Sequence, residues 1–211
     1  MLQLISLILL ISGSFADPRY GLSAADRQRV ALLQNNQRSI IARHGYRNLT
    51  AAGMPQLIYD ARNMEFHSLQ YVLNKPTKLG AKEEKEGYTL YHTTETMSDS
   101  ELILADVRNR KFHANTIQWS PQQLTAQVFQ TARDYIQMIW GKSGKVGCAA
   151  NRWSKDAVNH TILVCKYDFP ARVGREIYEV GEPCSSCSMQ QNCNETTKLC
   201  VTPKKYVVFN S

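Results

Sequence analysis

The run Arg133-Asp134-Tyr135-Ile136-Gln137-Met138-Ile139-Trp140, followed after a short turn by Lys145-Val146-Gly147-Cys148, decides how this chain folds. It predicts the end of an apolar helix, a turn, and a strand that carries a cysteine. Gly141 directly after Trp140 is the expected helix stop, because glycine accepts the left-handed turn that satisfies the last carbonyls. Val146, Cys148 and Ala150 alternate with small or polar neighbours, which is strand periodicity. A second strand, Thr161-Ile162-Leu163-Val164-Cys165-Lys166-Tyr167, lies one hairpin further on. If the two strands pair, Cys165 can meet Cys148.

Working outward, 211 residues at 43% hydrophobic and 20% charged suit one packed domain with a small appendage. Residues 2–11 are an apolar run, and Ser14-Phe15-Ala16 offers a small-x-small cleavage site. Residues 1–16 therefore predict a secretory signal peptide, too short to span a bilayer, and a mature chain from Asp17. Unusually, no Lys or Arg precedes the apolar run. No other stretch approaches membrane length. All six cysteines follow the leader, and an even count in a secreted chain predicts three disulfides. Sequons at Asn48, Asn159 and Asn194 agree with an extracellular glycoprotein. The net charge of +7 suits contact with acidic glycan or anionic lipid as well as plain solubility. No dense Lys/Arg run with interleaved aromatics is present, which argues against nucleic acid.

Taken in order, Ser23 and Asp26 open a first helix that runs to Arg43, with Val30, Leu33, Gln37, Ile40 and Ile41 as its spaced face. A Gly53-Met54-Pro55 turn precedes Asp60, the expected N-cap of a second helix. Met64, Leu69, Val72 and Leu73 continue that helix until Pro76. Ser98-x-x-Glu101 is a capping box opening a third helix to about Arg110. Ser120-Pro121-Gln122-Gln123 is the expected start of a fourth. Near the end, Cys184-x-x-Cys187-x5-Cys193-x6-Cys200 stands where zinc or redox chemistry competes with a disulfide-stapled loop. A secreted context favours the staple. None of the five histidines forms an i,i+4 pair, and no nucleophile elbow occurs.

These landmarks carry a resemblance. The helix-end run and Val146-Gly147-Cys148 resemble the two-part signature of the CAP superfamily, the cysteine-rich secretory, antigen-5 and pathogenesis-related proteins. Cys165-Lys166-Tyr167 is similar to its second signature, and Gln34-Asn35-Asn36-Gln37-Arg38 to its first-helix motif, with the histidine lost. The style is that of nematode secreted, venom-allergen-like members, which include an inhibitor of integrin-dependent platelet adhesion.

The resemblance implies an α+β fold, an α-β-α sandwich with an antiparallel sheet and a disulfide-stapled C-terminal hinge. It implies a CAP domain over 17–180 and a cysteine-rich tail over 181–211. It also implies tail pairs Cys184–Cys193 and Cys187–Cys200 beside Cys148–Cys165. Family cavities present two histidines and two glutamates that hold a divalent cation; mapped here, the set reads Lys78, Tyr88, Asp106 and Asp134. A lysine is protonated at neutral pH and no imidazole remains, so neither a metal nor any cofactor is expected. The expectation is a secreted, non-enzymatic effector that binds host or cell-surface proteins, an integrin among the candidates, with sterol or lipid carriage as the alternative. Arg108, Arg110, Lys111, Arg152 and Lys155 are the candidate binding surface, read as charges on exposed loops.

Overall fold

The computed structural model describes residues 21–203; the leader read at 1–16 lies outside them. The first helix, α1 (Ala24–His44), opens as its sequence dictates, with the Ser23 hydroxyl accepting from the Asp26 amide at 3.1 Å. Its buried side differs from the face read by spacing. Ile40 is exposed, while Gln34, Asn35, Arg38 and Ser39 turn inward beside Val30 and Ile41. Hydrophobic spacing cannot find such a stripe, because what buries it is hydrogen bonding rather than apolar area.

Arg38 is the strongest case. Its Nε donates to the Pro55 carbonyl at 2.9 Å, Nη1 to Met138 and Trp140 at 3.0 Å each, and Nη2 to Ser143 at 2.9 Å. One side chain therefore ties α1 to the Gly53-Met54-Pro55 turn and to the loop beyond the Trp140 helix. Burial lowers its pKa to about 9, with Tyr167 and Asp168 opposing, so it stays charged at neutral pH. Beside it, the Asn35 amide both donates to and accepts from the backbone of Leu57, at 2.9 and 2.8 Å. That pair positions β1 (Ile58–Tyr59).

The chain continues through α2 (Met64–Val72), α3 (Ala81–Lys85), β2 (Tyr88–Thr93), α4 (Asp99–Asn115), α5 (Ala126–Met138), β3 (Lys145–Lys155) and β4 (Val158–Tyr167). The tail adds β5 (Asn192–Asn194) and β6 (Leu199–Val201) as a separate ribbon. The main sheet has the order β1-β3-β4-β2, antiparallel throughout except that β1 runs parallel to β3. Cys148 and Cys165 face each other in register and are bridged.

One sheet face buries Tyr88, Ala149, Ile162 and Val164 against Val72 of α2. The other buries Val146, Cys148, Leu163, Cys165 and Tyr167 against α1 and α4 through Val30, Leu102 and Ile103. A third cluster surrounds α5 and includes Trp119, Leu124, Ile136, Ile139 and Trp140. Burying each such aliphatic side chain contributes about 1.5–3 kcal/mol, so the sandwich is held mainly by these layers.

Several boundaries differ from the sequence reading. Asp60 does not cap α2; its carboxylate accepts from the Arg62 and Asn63 amides and organises a preceding turn, and the helix starts at Met64. Helix α4 runs past Arg110 to Asn115. Helix α5 is capped by Thr125 rather than Ser120, because Pro121 and Leu124 are drawn into hydrogen bonds with Ile177 and Arg175. Gly141 is not left-handed: positive φ occurs at Gly45, Gly87 and Gly174 among the described glycines. It is small because a Cβ there would sit 3.0 Å from the Tyr178 Cα, while its amide donates to Ile177. Gly147 has a stronger steric reason, since a Cβ would meet the Glu65 amide at 2.1 Å where α2 crosses β3.

The tail bridges are Cys184–Cys193 and Cys187–Cys200. They do not hold the tail alone. Cys200 exchanges backbone hydrogen bonds with Met54 and Gln56, Ser186 donates to Ala52, and Ser39 donates to Thr197.

Replacing Arg38 with Met keeps much of its volume and removes every donor, leaving four carbonyls without their partner. The expected loss is about 3–5 kcal/mol in chemical denaturation, or roughly 10 °C in Tm for a chain this size. A loss below about 1 kcal/mol would show that those carbonyls find other partners.

Candidate functional site

Between α4, α5, α3 and the free edge of β2 lies a cleft of about 370 Å³, lined among others by Glu84, Leu90, Asn109, Arg110, Arg133 and Asp134. Its shape begins with a break in α5. Ala132 leaves helical geometry (φ −125°, ψ 20°), and the following Arg133 and Asp134 both line the cleft. The Arg133 guanidinium bridges Glu84 at 2.5 Å and Asp134 at 2.6 Å. The other Asp134 oxygen accepts from the Leu90 amide at 3.4 Å, on the edge of β2 away from β4.

The floor is a buried network centred on Arg110. Its Nε and Nη2 grip the two oxygens of Asp106, one turn earlier on α4, at 2.8 and 2.7 Å. Nη1 donates to the Tyr167 hydroxyl at 2.8 Å, and Nη2 to the Thr89 hydroxyl at 2.8 Å. The Tyr167 hydroxyl in turn donates to Gln34 at 2.8 Å. Burial opposes the charge on Arg110, but Asp106, Tyr167 and Asp134 raise its pKa above the ordinary arginine value. Burial likewise pushes the Asp106 carboxyl up, against the pull of Arg110, and the Asp134 charge adds to the rise. A bidentate guanidinium is the partner that makes a buried carboxylate tolerable.

No protein-family model matches the sequence. Bovine peptidase inhibitor 16 is 24% identical over 196 residues, which is 89% of this chain and 39% of that protein. The chain spans 24% of human peptidase inhibitor 16, which it matches at 26% identity over 117 residues. The curated relatives are thus much longer than the segment they share with it. Among solved structures, zinc-bound NaASP2 superposes with a TM-score of 0.74 at 24% identity, covering 85% of this chain and 97% of that one. Hookworm platelet inhibitor superposes at 0.68 with 20% identity, covering 86% and 92%. Together these similarities indicate the CAP superfamily.

Within the CAP frame, the four mapped cavity positions do not form one site. Asp106 is 2% exposed and both of its oxygens are taken by Arg110. Asp134 is at the cleft, held by Arg133. Lys78 is exposed and lines a neighbouring cleft with Glu84 and Arg133. Tyr88 packs on the opposite sheet face, against Tyr71 and under the Lys166 ammonium. Alternation across β2 explains the miss: Thr89, one residue along, is the strand residue that meets Arg110. These residues do not fit a divalent cation, because the guanidinium of Arg110 already supplies the positive charge.

Two candidate surface residues are likewise corrected. Arg110 belongs to this floor and is 2% exposed, so it cannot contact a partner. Arg152 lies within β3 and spends its guanidinium on Asp99 and the Met97 carbonyl. Arg108 and Lys111 are exposed on α4, not on a loop, and Lys155 is exposed at the end of β3. Asn48, Asn159 and Asn194 are all exposed.

What sequence reasoning missed was the importance of Arg110. Its i,i+4 spacing from Asp106 was the available signal. Gln34 was legible only as a lost histidine, not as the acceptor for Tyr167.

Asp106→Asn removes one partner of a buried charge pair and is expected to cost about 3–5 kcal/mol. Asp134→Asn, at a partly exposed pair, is expected to cost about 1 kcal/mol or less. The zinc response of Tm is expected to be the same in wild type and Asp134→Ala. A zinc-dependent rise in wild type that Asp134→Ala abolishes would show that the cleft does hold metal.

Proposed function

We propose that this chain is a secreted, non-enzymatic CAP effector that binds host or cell-surface proteins through its outer surface rather than its cleft. The carrying observation is how charge is distributed. Beneath the cleft Asp106 is neutralised by Arg110, and within it Arg133 by Glu84 and Asp134. Outside it, Arg108, Lys111 and Lys155 are exposed and make no salt bridge among the described residues. Free cations on a rigid scaffold speed encounter with acidic partners and orient them.

Three disulfides and three exposed sequons support an extracellular setting. No described helix is long and apolar enough to cross a membrane. Hookworm platelet inhibitor shares the fold, which makes an integrin-bearing surface the first partner to test. The lipid-carrier alternative would need a groove away from this cleft, because Glu84, Asn109, Arg133 and Asp134 line it with charge and amide.

The test is capture of platelet, leukocyte and endothelial surface proteins on the immobilised chain. Affinity for a captured partner is then compared across variants. Arg108→Glu/Lys111→Glu and Lys155→Glu are expected to weaken binding at least tenfold between them, while Asp134→Asn binds like wild type. If Asp134→Asn abolishes binding with its fold intact, and the surface variants bind normally, the cleft is the recognition site and the proposal fails.

A further inference from the structure

The sheet brings together two histidines that are 68 residues apart in sequence. His92 lies on β2 and His160 on β4, and the register places them diagonally on one sheet face. Their facing ring nitrogens, Nε2 of His92 and Nδ1 of His160, are 3.0 Å apart. Trp153, directly opposite His160 on β3, stacks on it with centroids 5.0 Å apart and planes 12° from parallel. His92 stacks on the other side at 5.2 Å and 17°. The indole and the strand pairing therefore fix the rings. Both histidines are half-buried, so the pair sits at the margin of the sheet face rather than in its core.

The spacing has a chemical meaning. Two imidazole nitrogens each about 2.0–2.1 Å from one metal, and 3.0 Å from each other, subtend roughly 95° at it. A tetrahedral pair would need about 3.3–3.4 Å, whereas cis positions of a square or tetragonal site need about 2.9 Å. Copper(II) has that geometry, favours imidazole and stands at the top of the divalent affinity order.

We propose that His92 and His160 form a two-imidazole site for a tetragonal divalent cation, copper(II) first. Its remaining positions are filled by water or by a donor from a bound partner. Without metal, the two rings share one hydrogen bond. On binding, the bridging proton leaves its nitrogen and is replaced through solvent on the far nitrogen of the same ring, where no hydrogen bond stands among the described residues. Both facing nitrogens then donate lone pairs, and two neutral imidazoles remain neutral. This site is distinct from the Asp106–Arg110 network, which lies on the other sheet face.

Trp153 makes the site testable, because Trp119 and Trp140 are 7% and 2% exposed and far better shielded from a surface ion. Titrating the purified chain with copper(II) sulfate at pH 7.5 is expected to quench tryptophan emission saturably at one ion per chain. His92→Gln and His160→Gln should each weaken the binding at least tenfold, and His113→Gln should leave it unchanged. Zinc sulfate should bind more weakly than copper. Electron paramagnetic resonance of the wild-type copper complex should show a tetragonal signal with two coupled nitrogens, a readout that needs no variant to fold. No saturable quenching, or quenching unaffected by either substitution in folded protein, would overturn the proposal. A wild-type spectrum without imidazole nitrogens would do the same.

Discussion

Arg38 is buried with no carboxylate at salt-bridge distance among the described residues, and four backbone carbonyls take its donors instead. Those carbonyls come from three chain segments that share no secondary structure: the turn before β1, the end of α5, and the loop leading into β3. Carbonyls that end a helix or line a buried loop must be satisfied somewhere. One guanidinium does this for all three and so fixes how α1, α5 and the sheet meet. The cysteine pair, the tail ribbon and the cleft all hang on elements whose mutual positions this contact sets.

A second arginine organises the site by a related logic. Arg110 is also fully buried, but it answers a carboxylate, a tyrosine hydroxyl and a threonine hydroxyl. In the CAP frame the same region would offer ligands to a mobile cation. Here the cation is tethered to α4, and its donors leave the carboxylate of Asp106 nothing to offer a metal. The floor of the cleft is thereby part of the fold. The proposed surface recognition rests instead on groups without such partners, among them Arg108 and Lys111, two and five residues beyond Asp106 on α4.

The sequence made the strong local signals legible. The α1 cap at Ser23, the α4 capping box and the Cys148–Cys165 hairpin all stand where their residues place them. It misplaced the start of α5, because Ser120-Pro121 has good cap chemistry but its neighbourhood is spent on Ile177 and Arg175. The family motif alone places Tyr88 at the cavity. Strand alternation sends it to the other sheet face, and Thr89 takes its place. The basic run around Arg110 reads as an exposed loop; only tertiary packing shows it on a helix, with a carboxylate one turn away sharing its burial. The His92–His160 contact depends on β2–β4 register, which no local spacing encodes.

The central claim is that Asp106 and Arg110 are one closed structural unit and not the remnant of a ligand site. A double-mutant cycle measures it most directly, using chemical denaturation of Asp106→Leu, Arg110→Met and the double variant. Each single variant leaves a buried charge unpaired and should lose about 3–5 kcal/mol, while the double variant recovers most of either loss. Additive losses, with no coupling between the two positions, would contradict the account.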